Sequence, residues 1–479
     1  MSGSLEPLPP LAPPFDDAID APVIAGDRPR SWRRLAVQSA GALVMRGLRL
    51  ASSFVLGVLI ARLLGASGAG VYFVALAVAQ LAALVARMGL DTTLLRLFAS
   101  GRGSPALYRR ATGAVAAAGV TATAIVVLAS PALARFVFRE PALTEPLRVM
   151  ALSVVPWSLL LLHGSLLQST GRIALAMFVQ HVGVLVTGIP LVVLLGAGGS
   201  LVGVAAAHAL STCAILAAGV FLWRRAGALD ARAGSGRGIE ASSDDQEPGG
   251  VRDLSTLWPL ALRSGLSLCL IELLTTGGTI ADTFLLGALG TAEDVGVFKI
   301  AFRVAVLGTA AFEAVKVTLA PRLARELASG DLATVEQTAR RGAAVTLLLS
   351  VPAWIAVFFF PARVLGLFGP EFAAGAGALL LLMAGRVTSA VAGPNGLLLI
   401  MAGRERALRD ATVVLALARV ALLYVVIPRW GLVGAAAAVS ACDAVSIVVS
   451  SLLVRRFLGI TALPLPAAVL PYRPPRARR

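Results

Sequence analysis

The sequence predicts an all-α integral membrane protein of twelve transmembrane helices, arranged as two six-helix lobes related by a parallel pseudo-two-fold repeat around a central cavity. Three observations predict it. Of 479 residues, 57% are hydrophobic and only 14% charged, whereas roughly 25% are charged in an ordinary soluble domain. The apolar residues come in blocks of about twenty or more, the length a helix needs to cross ~30 Å of hydrocarbon. The chain also repeats itself. Gly70-Val71-Tyr72 returns as Gly296-Val297-Phe298, Leu166-Leu167 with Gly171-Arg172 as Leu398-Leu399 with Gly403-Arg404, and Leu201-Val202-Gly203 as Leu432-Val433-Gly434. Six helices per copy is an even number, so both copies enter the membrane from one side, which makes the repeat parallel.

Residues 1–30 are rich in Pro and Asp and lack an apolar h-region, so they read as a disordered cytoplasmic tail and not as a signal peptide. Residues 31–223 form the first lobe, with apolar spans at 37–61, 70–90, 111–130, 147–169, 174–196 and 201–223. Residues 224–256 carry Ala233-Gly234-Ser235-Gly236 and Ser243-Asp244-Asp245-Gln246-Glu247, the composition of a flexible linker. Residues 257–457 form the second lobe, with spans at 257–285, 294–319, 343–365, 374–401, 409–428 and 431–457. Residues 458–479 are a basic tail rich in Pro and Arg. Asp91, followed by Thr92-Thr93, reads as the N-cap of a short amphipathic helix.

Orientation follows from the arginines. The two tails and every second loop hold roughly 27 basic residues and the alternate loops roughly 6, which the positive-inside rule reads as both termini cytoplasmic. Trp223, Trp258 and Trp430 fall near span ends, where an indole prefers to sit. The net charge of +16 is spread between spans, not gathered into a patch, so nucleic acid is not an expected partner. Cys213, Cys269 and Cys442 stand singly in apolar blocks and imply neither disulfides nor a metal.

The charges inside the spans are the candidates for function. A charge at mid-membrane costs at least ~2.5–3.5 kcal/mol on insertion scales and therefore faces protein or a wet cavity. Arg46 and Arg49 of span 1 lie roughly 13–18 Å from its cytoplasmic end, too deep to snorkel. In span 8, Lys299, Arg303 and Glu313 fall within about 80° of arc if the helix is continuous, with Lys316 on the same side. Arg386 and Arg419 lie near the middle of spans 10 and 11, and Glu272 and Asp443 are the acidic residues of spans 7 and 12. Seven cations thus face three carboxylates, an excess of four. Part of that excess is expected to meet an anionic substrate, phosphate or pyrophosphate, whose oxygens suit the guanidinium fork. Glu313 and Lys316, at i,i+3, read equally well as a self-neutralising pair.

His163, His181 and His208 occupy spans 4, 5 and 6, where polar packing between helices is favoured over a proton relay. No phosphate-binding Gly-rich loop, nucleophile elbow or metalloprotease His pair occurs, so no enzyme, no cofactor and no ATP-driven pump is expected.

The run Leu59-Ile60-Ala61-Arg62-Leu63-Leu64-Gly65, then Gly68-Ala69-Gly70-Val71-Tyr72 and Arg87-Met88-Gly89-Leu90-Asp91, resembles the first two helices of polysaccharide biosynthesis flippases, which translocate O-antigen and other lipid-linked oligosaccharides. Asp282 before Leu285-Leu286-Gly287, Pro321-Arg322-Leu323-Ala324 and Gly403-Arg404-Glu405-Arg406 extend the resemblance, which runs from about Ser31 to Arg456. It implies the multidrug, oligosaccharidyl-lipid and polysaccharide exporter superfamily. It implies alternating access that carries an undecaprenyl-pyrophosphate-linked glycan from the cytoplasmic to the periplasmic leaflet of a bacterial inner membrane, for lipopolysaccharide assembly. Arg46, Arg49, Lys299 and Arg303 fall where that family's cavity cations would lie, with Arg386 and Arg419 added to them. Glu272, Glu313, Lys316, Asp443 and the three histidines are candidates for coupling or charge balance. The implied partners are the lipid-linked oligosaccharide, membrane lipid and H+ or Na+ as candidate coupling cation; the chain is expected to be a monomer, with polysaccharide assembly proteins as candidate associates. A multidrug antiporter of the same superfamily would favour acidic cavity residues, and a polysaccharide polymerase or ligase would carry a large external loop; the longest here, about 131–147, is short.

Overall fold

A computed structural model describes residues 32–234 and 254–461; the expected N-terminal tail, the middle of the linker and residues beyond Thr461 lie outside the described residues. The first long helix, Trp32–Arg87, is interrupted at Gly65, whose φ of 68° lies in the left-handed region that a residue without Cβ enters freely. Its arms are α1 (32–64) and α2 (66–87). Next come α3 (Leu90–Ala99), α4 (Pro105–Ala132), α5 (Thr144–Ala151), α6 (Val154–Ser169), α7 (Ile173–Met177), α8 (Gly183–Leu195) and α9 (Leu201–Gly234). The second half holds α10 (Leu254–Leu289), α11 (Ala292–Leu307), α12 (Ala310–Ala328), α13 (Leu332–Phe359), α14 (Pro361–Gly366), α15 (Ala376–Ala392) and α16 (Asn395–Met401). The last helix, Glu405–Leu458, is interrupted at Gly431, φ 48°, into α17 (405–430) and α18 (432–458).

Local chemistry sets several of these boundaries. The Ser104 side chain accepts the Leu107 N–H and Pro105 opens α4, where a missing donor costs nothing. Thr291 and Asp294 form a reciprocal capping box at the start of α11. Asp331 caps α13 through the Thr334 N–H, and this hydrogen bonding holds its carboxyl below the usual carboxylate range.

Eight described helices are each long and apolar enough to cross a bilayer, and two further bent pairs qualify together. Two of the eight, of 44 and 54 residues, are too long for one crossing at ~1.5 Å per residue and divide at Gly65 and Gly431. The arrangement is consistent with the twelve expected crossings. Leu128, Phe136 and Leu348 are 73–80% exposed. Apolar exposure on that scale suits a belt in contact with hydrocarbon.

Four expectations about helices need correction. Span 8 is not one helix: it bends by 44° between Leu307 and Ala310, so Glu313 and Lys316 do not continue the face of Lys299 and Arg303. Span 4 bends by the same angle between α5 and α6. Span 10 breaks at Gly393 and Pro394, since the proline ring excludes a helical residue before it. Asp91 does not cap α3. The position before the helix is Gly89, and Asp91 sits buried in the first turn, bonded to Arg87. The helices flanking the linker also run further than the apolar blocks suggest, with α9 reaching Gly234 and α10 beginning at Leu254.

The two halves meet most closely where α2 crosses α11. A Cβ on Gly70 would lie 1.6 Å from the Ala292 carbonyl oxygen, and one on Gly296 would lie 2.0 Å from that of Ala66. Each glycine would also approach the other's backbone nitrogen to 3.1 Å. Gly70 with Gly296, and Ala66 with Ala292, are pairs at one common offset in the sequence repeat. Reciprocal contact between such positions is consistent with a two-fold axis running between them. Around the crossing a single apolar core spans both halves, joining Ile60, Tyr72 and Phe73 to Phe298, Phe368 and Phe372.

Candidate functional site

Just beyond the glycine crossing, α1, α2, α10 and α11 enclose a cavity of about 250 Å³. Its polar lining is Ser53 of α1, Gln80 of α2, Thr283 of α10 and Lys299 and Arg303 of α11, set among Leu50, Phe73, Leu76 and Phe302. No carboxylate lines it. Lys299 and Arg303 share a face because they are four residues apart on one helix.

Each cation has its own setting. Arg303 Nη1 donates to the Ser53 carbonyl oxygen at 2.8 Å, and its guanidinium carbon lies 5.5 Å from the centre of the Phe73 ring. Gly57 makes this reach possible: a Cβ there would lie 2.3 Å from Nη1. Lys299 has no hydrogen bond and no ion pair among the described residues. The Thr283 hydroxyl is buried without a partner. An ammonium, a guanidinium with donors to spare and two neutral polar groups, in a space without acids, can hold an anion.

Gly57→Ala is expected to lift the Arg303 guanidinium off Ser53 while sparing the fold, since the obstructed atoms belong to a flexible side chain. Pyrophosphate binding, measured by calorimetry on the purified protein, should weaken about tenfold, equivalent to ~1.4 kcal/mol. Unchanged binding would mean that Arg303 is placed by something other than the gap at Gly57.

The remaining sequence candidates are engaged elsewhere. Arg419, expected among the cavity cations, donates through Nε to Asp282 at 2.8 Å, and its Nη2 forms a second contact to the same carboxylate. Its Nη1 reaches Asp443 at 3.3 Å, and Asp443 also pairs with Arg386 at 3.3 Å. Two arginines and two aspartates from α10, α15, α17 and α18 thus form a neutral network. It lies behind the cavity wall, with Arg386 stacked on Phe302 at 5.0 Å. Glu272 accepts from Arg87 Nη2 at 2.9 Å, joining α10 to α2, while Arg87 Nη1 bonds Asp91. Glu313 accepts from Lys316 at 2.7 Å, the self-neutralising alternative, and Arg46 approaches the same carboxylate at 3.9 Å. Arg49 is exposed and has no carboxylate partner among the described residues.

The histidines form no relay. No hydrogen bond joins any two of them among the described residues. His163 donates from Nδ1 to the Leu159 carbonyl oxygen at 2.7 Å and accepts the Tyr108 hydroxyl at 3.1 Å on Nε2. His208 is buried against Trp157, ring centres 4.9 Å apart, with Nε2 unpartnered. His181 is exposed within a π-helical turn at Phe178–Val182.

Sequence reasoning omitted Asp282, Arg87 and Asp91 from the charge balance. The signal for Asp282 was present, since it is one of two carboxylates in the apolar block 257–285. Gln80, Thr283 and Gly57 carried no signal, because uncharged polar residues and glycines are common in membrane helices.

The family model described as Polysaccharide biosynthesis protein matches residues 40–327, more than half of the chain, and one described as MatE matches residues 268–428. The chain is similar to the probable low-salt glycan biosynthesis flippase Agl15 of Haloferax volcanii, 23% identical over 180 residues. That alignment covers 37% of this chain and only 38% of the relative. Similar solved structures include the lipid II flippase MurJ in an inward closed conformation, with TM-score 0.65, 14% identity, and 88% of this chain and 87% of that chain covered. An inward-facing multidrug resistance MATE family transporter of the MOP superfamily has TM-score 0.63 at 15% identity, over 88% and 98% of the two chains. A MOP superfamily transporter from Pyrococcus furiosus, described as having a binding pocket of reverse polarity, has TM-score 0.58 at 17% identity, over 88% and 95%. At such identities these structures show a shared fold. By their names these proteins are transporters and flippases, not catalysts.

Proposed function

Because the chain belongs to the polysaccharide biosynthesis protein family, we propose that it is a flippase for an anionic, polyprenyl-pyrophosphate-linked oligosaccharide. In this reading both termini are cytoplasmic in a bacterial inner membrane, and the cargo moves to the periplasmic leaflet for O-antigen or related surface polysaccharide. The two lobes, 31–223 and 257–457, alternate access to the cavity between them. The observation that carries the reading is the carboxylate-free cavity with Lys299 and Arg303 as its only charges. Lys299 would meet pyrophosphate as a point charge and Arg303 through the donors that Ser53 leaves free. Multidrug exchange is the competing reading within the superfamily. It is disfavoured because a cationic drug would meet two like charges, while the carboxylates Asp282, Asp443 and Glu272 are occupied by arginines.

Losing one charge-assisted contact removes about 1.5–3 kcal/mol. Lys299→Ala and Arg303→Ala should each weaken pyrophosphate binding about 10–100-fold, and the double variant should abolish surface polysaccharide while the protein stays in the membrane. Full complementation by the double variant would sink the assignment.

A further inference from the structure

A second cavity, of about 300 Å³, adjoins the cationic one and contrasts with it in chemistry. It is a groove between α2, α10 and α17, and its lining, which includes Leu81, Leu274, Phe284, Leu417 and Val420, carries no charged residue. Ile280 belongs to both cavities. From that residue α10 presents Thr283 to the cationic cavity, while Gly277, Ala281 and Phe284, at helical spacing, face the groove. The groove exists because α10 has no side chain at Gly277 and Gly278. A Cβ on Gly278 would already touch Ala416 of α17 at 3.6 Å. On its outer side Leu417 is 55% exposed and Val420 36%, and in a chain that spans a membrane such exposure at mid-helix faces hydrocarbon.

We propose that this groove seats the hydrocarbon chain of the lipid whose pyrophosphate occupies the Lys299 and Arg303 cavity. The proposal rests on the flippase reading and adds the place where the apolar half of the cargo lies. The occupant follows from the continuity of the two cavities: a headgroup held beside Ile280 has an apolar exit one helical turn away, so its chain reaches the bilayer without crossing charged surface. Lipid tails are as apolar as leucine, so moving the chain from bilayer to groove contributes little affinity. The groove acts as a path and leaves headgroup binding to the cations. Filling it should therefore stop movement of a lipid while leaving pyrophosphate binding intact.

The test uses the full chain in nanodiscs and farnesyl pyrophosphate carrying a terminal diazirine. Photolabelling should concentrate on residues 273–285 and 416–420 and be competed by unlabelled farnesyl pyrophosphate but not by farnesol. Gly278→Leu fills the groove from its floor, and Leu417→Trp fills it from the exposed side with no demand on the backbone. Each should lower the competed label at least tenfold and abolish transport, with pyrophosphate binding within twofold of the parent. Label spread equally to Phe358 and Phe359, exposed on α13, would identify surrounding lipid and overturn the proposal, as would full labelling and transport in Leu417→Trp. The flippase reading fails separately, if pyrophosphate does not bind the parent protein or binds Lys299→Ala equally well.

Discussion

Gly296→Ala is expected to lower the stability of the purified protein by about 3 kcal/mol, at the upper end of the usual cost of overpacking. The reason is the identity of the obstacle. The new methyl would lie 2.0 Å from a backbone oxygen, that of Ala66, and no rotamer change can move a carbonyl that is itself part of a helix. The helices α2 and α11 would have to separate along their whole crossing, opening the core that joins Phe73 to Phe298. Gly70→Ala should behave alike, because its methyl would meet the Ala292 oxygen at 1.6 Å. Gly113 of α4 and Gly377 of α15 serve as controls. A Cβ at either meets nothing within 4 Å, so alanine there should be neutral or gain up to ~1 kcal/mol from its better helix propensity. Thermal unfolding of the four variants in one detergent checks the ranking. Gly296→Ala as stable as Gly113→Ala would show that the two backbones are not in contact.

Asp282→Ala is expected to cost about 3–5 kcal/mol, the penalty for leaving a buried charge without its partner. Asp282 is 2% exposed and takes two contacts from Arg419, whose remaining carboxylate, Asp443, is shared with Arg386. Removing Asp282 converts a neutral four-residue network into one with two cations on a single acid. Adding Arg419→Gln should recover a large part of the loss, because it removes the orphaned charge as well, and the double-mutant cycle measures the coupling directly. Lys299→Met should do the opposite. Lys299 has no ion-pair partner among the described residues, so removing its charge should leave stability unchanged or raise it while anion binding falls. Stability held below its optimum by an unpaired charge is the usual signature of a residue kept for function. If Lys299→Met proves as damaging as Asp282→Ala, the lysine has a structural partner and the cavity is not an anion site.

Reading the charges from sequence alone identifies the right population but not its pairing. Arg386, Arg419, Lys299 and Arg303 look equivalent as cations within apolar blocks. The first two are neutralised and the last two face a cavity. The difference lies in partners far along the chain, with Asp282 and Arg419 137 residues apart and Arg87 and Glu272 185 apart. Span 8 shows the same limit at short range. Its apolar pattern continues through Gly308 and Thr309, so hydropathy cannot detect a bend that separates Lys299 and Arg303 from Glu313 and Lys316.

The sequence by itself determined that the chain is a multi-helix membrane protein built on a repeat, because hydropathy, loop charge and duplication are properties of neighbouring residues or of simple offsets. The repeat even marked Gly70 and Gly296 as equivalent, although not that they touch. Only the tertiary structure decided which buried charges cancel and which remain free. A charge in low dielectric is governed by whatever lies within about 4 Å of it, and helix packing, not chain order, sets that neighbour. The site is therefore a remainder: the cations left in a cavity after every carboxylate nearby has been claimed.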